Sequence, residues 1–215
     1  MARQTAISIN TIPIGPLGII GMPGCEELTD KIDQYLVKWR KTQAIEHAES
    51  IAFFGYQRDS YKIDITIPRF GSGEGKGVIN ESVRGYDIYI VCDVFNYSCT
   101  YNMYGKEVCM SPDDHFADLK RVISALCSKP KRVSVIMPML YEGRQHKRSS
   151  RESLDCAMAL KELVHLGVEN IITFDAHDQR VQNAIPDKSF ENVMPTYQMI
   201  KALVNNVDDL KVDKD

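Results

Sequence analysis

Apolar and polar positions alternate along this chain with two periods. Short aliphatic runs bounded by Gly, Pro or charge read as strands, and apolar residues spaced three and four apart read as helices. Pro16–Ile20 is the first short run, and Gly21–Gly24 makes a tight turn after it. From Cys25 to Thr42, apolar residues fall at Leu28, Ile32, Tyr35, Leu36 and Trp39, which predicts a helix buried along that stripe. Tyr61–Ile67 alternates apolar with polar, as a half-buried strand does. Gly77–Val83 predicts another strand. Asp87–Val94 is continuously apolar and β-branched, which suits a strand buried on both faces. Asn96–His115 reads as a long connection.

The second half is more regular. Ser111 can cap a helix, Pro112 fits its first turn, and Asp113 and Asp114 suit the positive end of its dipole. Phe116, Leu119, Val122, Ile123 and Leu126 form its predicted buried stripe. Arg132–Pro138 reads as a strand, and Ser153–Gly167 as a helix stopped by Gly167. Val168–His177 is a strand with Asp175 and His177 at its carboxyl end. Short helical pieces follow at Asp178–Ile185 and Pro195–Val204. Strand–helix alternation predicts an α/β fold, a mostly parallel sheet flanked by helices.

Composition narrows the class. The net charge of −3 over 215 residues argues against a general nucleic-acid binder. No window is long and apolar enough for a membrane span, and Met1–Gly18 has no leader pattern. Cys25, Cys92, Cys99, Cys109, Cys127 and Cys156 contain no Cys-x-x-Cys pair. Buried free thiols in a reducing cytoplasm are the expectation, rather than zinc ligands or disulfides.

Four stretches invite a chemical reading. Gly71–Gly77 has phosphate-loop glycines but lacks the Gly-Lys-Ser/Thr ending and the following helix, so a hairpin turn is the plainer reading. Gly21–Gly24 opens a helix, but Pro23 removes a donor and Glu26 and Glu27 fill the first turn, so packing and capping are expected. Asp175 and His177, two apart on an extended segment, would point the same way and could hold a divalent ion. Equally, Asp175 could cap the next helix and leave His177 an ordinary loop residue. Glu142–Ser153 carries Arg144, Lys147, Arg148 and Arg151 with Gln145 and His146, more cations than a connection needs. If the two strand ends are neighbours, cations and a metal site together suit a polyphosphate.

Three motifs in order carry a family resemblance. Arg69–Gly85 is similar to the Arg-Phe-Ser-Asp-Gly-Glu segment and following Ile-Asn-Glu-Asn-Val-Arg-Gly of ribose-phosphate pyrophosphokinases. Pro138–Gln145 is similar to their Pro-Tyr-x-x-Tyr-Ala-Arg-Gln, and Gly167–Gln182 to their Thr-x-Asp-Leu-His segment. The chain resembles the N-terminal half of that family. The resemblance implies a phosphoribosyltransferase-like fold with a small β-hairpin or flap near residues 61–85. It implies transfer of diphosphate from ATP to ribose 5-phosphate with magnesium, in a cytoplasmic homo-oligomer. It would place ATP at Arg144 and Gln145, and adenine at Phe70, Ser72, Gly73 and Glu74 of a neighbouring subunit. Magnesium would fall to His177, with Asp175 as the second candidate.

The chain also departs from the family. Ser72 stands where the family has Asp or Asn, His146 where it has Asp, Glu142 where it has Tyr, and Gly143 where it has Ala. The 146–151 loop is about two residues shorter. No match appears for the ribose-phosphate loop or the catalytic lysine loop of the second domain, where the catalytic residues are expected. The expected organisation is therefore an extension (1–17), one α/β domain (18–205) and a charged tail (206–215), with the second domain absent. On this reading the isolated chain lacks synthetase activity. The alternative is a non-catalytic regulatory or assembly relative.

Overall fold

The computed structural model describes residues 13–46 and 57–207; most of the extension and tail expected from the sequence lie outside them. In chain order the elements are β1 (Leu17–Gly21), α1 (Glu26–Glu46), β2 (Ile65–Thr66), β3 (Val78–Ile79), β4 (Asp87–Val91), β5 (Thr100–Met103) and β6 (Lys106–Cys109). They continue with α2 (Pro112–Ala125), β7 (Arg132–Met137), α3 (Asp155–His165), β8 (Asn170–Phe174), a 3-10 turn (Gln179–Ala184), β9 (Ser189–Val193) and α4 (Thr196–Asn206).

Five strands form one parallel sheet in the order β1-β4-β7-β8-β9. Side chains alternate across it. Ile20, Ile88, Ile90, Val133, Val135, Met137 and Ile171 point into the larger core with α2 and α3. Ile19 and Val91 point the other way, with Cys25 and Tyr61, under α1. Both faces of β4 are buried, as its uninterrupted apolar run demands. The α2 stripe is buried as predicted, with Phe116, Leu119, Val122, Ile123 and Leu126 all 4% exposed or less. Its start is a capping box: Asp114 N donates to Ser111 Oγ and Ser111 N donates to Asp114 Oδ2. Such a cap contributes about 1 kcal/mol.

The structure departs from the sequence pattern in four places. The α1 stripe is rotated: Tyr35 is 69% exposed, whereas Thr29 and Asp33 are buried. Asp33 earns that position by accepting bonds from Tyr61 N and Ser60 Oγ, which tie the returning chain to α1. Tyr61–Ile67 keeps its alternating burial, but it touches β1 only through a parallel bridge at Lys62 and forms a strand only at Ile65–Thr66; Gly77–Val83 does so only at Val78–Ile79. The connection 96–115 contains the antiparallel β5–β6 hairpin, turning at Tyr104 and Gly105. β9 was hidden because Ser189–Val193 alternates around a polar edge and lacks an apolar run. All six cysteines are free, but only Cys25, Cys92 and Cys156 are buried; Cys109 and Cys127 are exposed. No described helix is long and apolar enough to cross a membrane.

Candidate active site at two strand ends

β7 and β8 are paired neighbours, and both present their carboxyl ends at the same edge of the sheet. Their last matched residues are Met137 and Thr173, and Phe174 N then donates to Pro138 O at 3.3 Å. The loops that follow diverge around a cavity of about 540 Å³. Phe95, Asp113, Tyr141, Arg144, Asp175 and His177 line it. This is where parallel sheets expose backbone ends and free side chains to a ligand.

Two wall residues hold strained backbone. Glu142 has φ 55° and Asp175 has φ 46°, the left-handed region that side chains with a Cβ rarely enter. Strain of this kind persists only where surrounding bonds over-determine it. At Asp175 those bonds are its own N–H to Val193 O and the Ala176 N–H to Asn192 Oδ1. The floor is set by Tyr141. Its ring stacks on Phe116 at 4.2 Å between centroids, and its hydroxyl donates to Asp113 Oδ1 at 2.6 Å. Burial first, and then the Asp113 bond, push the Tyr141 phenol well above its ordinary range.

The cationic loop is folded on itself. Gln145 Nε2 donates to Ser153 O at 2.8 Å, and Ser149 N and Ser150 N both donate to Glu152 Oε1. Those backbone bonds hold the Glu152 carboxyl below its ordinary range. Arg144 is exposed and has no carboxylate partner among the described residues; nor do Lys147, Arg148 or Arg151. Four cations without a carboxylate partner among the described residues leave donors that an anion could take.

Asp175 and His177 both line the cavity, although the left-handed turn at Asp175 means the segment is not extended there. The cap of the next turn is Asp178: its carboxylate accepts from Arg180 N. Side-chain and backbone bonds from Arg180 come first in holding the Asp178 carboxyl far below its ordinary range, and the nearby His146 adds to them. No described group of three or more His, Cys, Asp and Glu could hold a metal by itself. Of the Asp175–His177 pair, Asp175 offers the carboxylate oxygens that a hard cation prefers.

Phe70, Ser72, Gly73 and Glu74 are elsewhere. None lines the cavity. They form a hairpin turn in which Phe70 N donates to Glu74 O, Gly73 N to Phe70 O, and Gly73 takes φ 93°. Ser72 Oγ donates to Glu74 Oε2, and Phe70 is 57% exposed. The turn leans on the β5–β6 hairpin, because Tyr104 N donates to Gly71 O. Gly77 explains the end of the glycine run: a Cβ there would come within 2.8 Å of the α2 backbone at Arg121.

The sequence pattern placed Asp113 only at the start of α2, not at the cavity, and gave no signal for Tyr141, Asp178 or the bracing hairpin as parts of this region. Tyr141 lies inside the matched Pro138–Gln145 motif, and Asp178 directly follows His177, so proximity to motifs was the available signal.

The sequence model described as the N-terminal domain of ribose phosphate pyrophosphokinase matches residues 17–167, more than two thirds of the chain. The chain belongs to the ribose phosphate pyrophosphokinase family. Ribose-phosphate pyrophosphokinase from Vibrio cholerae serotype O1 is 25% identical over 150 residues, which are 68% of this chain and 43% of that one. Ribose-phosphate pyrophosphokinase 1 of Schizosaccharomyces pombe is 29% identical over 148 residues, 68% of this chain and 32% of that one. The crystal structure of phosphoribosylpyrophosphate synthetase from Mycobacterium smegmatis superposes with a TM-score of 0.64 at 18% identity. It covers 88% of this chain and 52% of the other, and shows the shared phosphoribosyltransferase-like fold. The pyrophosphokinase match thus spans less than half the length of these curated relatives.

Proposed function

We propose that this chain is the ATP-binding half, residues 18–205, of a ribose-phosphate diphosphokinase. The complete enzyme would transfer the diphosphate of ATP to ribose 5-phosphate, giving phosphoribosyl pyrophosphate and AMP. The supporting observation is the meeting of Arg144, which has no carboxylate partner among the described residues, with Asp175 and His177 across one cavity at neighbouring strand ends. Arg144 would grip phosphate oxygens with its planar fork, and Gln145 would offer its amide oxygen, since its nitrogen is committed to Ser153. His177 and Asp175 would hold magnesium, which when bound neutralises phosphate charge. The chain's own part is to bind and orient the nucleotide, the dominant contribution in in-line phosphoryl transfer.

Phe70, Ser72, Gly73 and Glu74 would receive adenine from a neighbouring copy, since within one chain they stand off the cavity. The ribose-phosphate site and the catalytic residues of the complete enzyme would lie outside residues 13–207.

Calorimetric titration of the purified chain with ATP tests the reading. Binding is expected to require magnesium and to weaken by about tenfold to a hundredfold in Arg144→Ala, the worth of a charged hydrogen-bonded pair. Absence of binding to the folded wild-type chain overturns the proposal and favours a non-catalytic relative.

A further inference from the structure

His146 is set apart from its neighbours. Lys147, Arg148, Ser149, Ser150 and Arg151 are exposed, yet the His146 side chain is only 12% exposed. Its Nδ1 lies 3.1 Å from the Arg144 carbonyl in its own loop. Its Nε2 lies 3.4 Å from Asp178 Oδ2 in the other loop, and its ring stands 5.1 Å from the His177 ring at 58°. Both nitrogens therefore face acceptors, one on each side of the gap. Asp178 is itself 14% exposed and fixed from behind by the Arg180 guanidinium and N–H.

We propose that His146 is a positioning residue, which straps the Arg144 loop to the Asp175–Asp178 loop and thereby holds His177 at the cavity. The resemblance puts a carboxylate at position 146; here the carboxylate stands opposite, at Asp178, and an imidazole takes its place. Beyond the Phe174–Pro138 backbone bond at the roots of the loops, the contacts of His146 are the polar and ring contacts that join them among the described residues. The functional part of this proposal rests on the cavity binding ATP. The geometric part does not.

Amide hydrogen exchange on the ligand-free chain tests the strap directly. His146→Ala is expected to speed exchange at Asp175 and Ala176, whose N–H groups are bonded to β9, while Ile88 and Ile171 in the core stay protected. His146→Gln carries an amide far enough along the side chain to donate to Asp178, and is expected to keep the wild-type pattern. His146→Asn reaches only the Arg144 carbonyl and is expected to behave as Ala. With ATP and magnesium, His146→Ala is expected to weaken binding by about tenfold, the usual cost of losing a group that orients a metal ligand. Unchanged exchange in His146→Ala, or faster exchange with unchanged ATP affinity, overturns the proposal. If the wild-type chain fails to bind ATP, the proposed function falls, and the exchange pattern with the Gln and Asn variants alone decides the strap.

Discussion

Arg69 and Arg144 are the same side chain in two loops, and the two loops treat it in opposite ways. Arg69, 11% exposed, donates to Asp118 Oδ2 at 2.6 Å and to Gly73 O, and lies over the Tyr101 ring at 4.5 Å. Asp118, 2% exposed, also accepts from Arg121. Arg144 is exposed and has no carboxylate within reach among the described residues. A charge removed from water must have its partners built in, whereas a charge left at a cavity mouth keeps its donors for something that arrives. The first loop spends its cation on holding a shape. The second holds its shape with Ser149 N donating to the Glu152 carboxylate and the Gln145 amide donating to Ser153 O, and leaves its cations open.

The largest test of that contrast is Asp118→Ala. It strands Arg69 with its main partner gone, and removes a partner from Arg121 as well. Breaking a buried pair on one side costs about 3–5 kcal/mol. Urea denaturation is expected to show a loss of that order; a loss below about 1 kcal/mol would mean that Arg69 is as solvated as Arg144. At the strand ends the corresponding change is milder. Tyr141→Phe keeps the stack on Phe116 and removes only the hydroxyl bond to Asp113. The expected loss is about 1 kcal/mol, a typical net hydrogen-bond contribution, read from the shift in urea midpoint.

The two loops were also unequally legible in the sequence. Strand β4 could be read because burial on both faces forces a near-continuous apolar run, and β7 and β8 because they are short, mostly aliphatic segments. Helix α2 could be read from Ser111 and its apolar stripe. The meeting of Arg144 with His177 required only that two consecutive strands be neighbours, which parallel alternation favours. The bracing of the flap could not be read, because Arg69–Asp118 and Gly71–Tyr104 join residues far apart in sequence, with no periodic signal. Tyr101–Lys106 mixes polar and aromatic residues on an exposed hairpin, so its alternation carries little information. Asp33 and Thr29 escaped because a helix stripe is read from apolar residues, and these are polar groups buried by local bonding or packing.

The smallest expected effect sharpens the contrast from the side of the flap. Ser72 is where this chain departs from the family's Asp or Asn, and its hydroxyl touches only Glu74, with both residues exposed. The shape of the turn does not depend on that contact. Phe70 N to Glu74 O at 2.8 Å, Gly73 N to Phe70 O at 2.9 Å and Lys76 N to Pro68 O at 3.0 Å close it through the backbone. Gly73 supplies the left-handed residue, and Arg69 anchors the base. Ser72→Ala should therefore leave the urea midpoint within about 0.5 kcal/mol of wild type, the range of an ordinary surface substitution. Amide exchange at Phe70, Gly73 and Lys76 should also be unchanged. A larger loss, or faster exchange at those three amides, would show that the side chain of Ser72 is part of the brace. The flap's order would then depend on the Ser72 side chain as well as on the buried Arg69 pair beneath it.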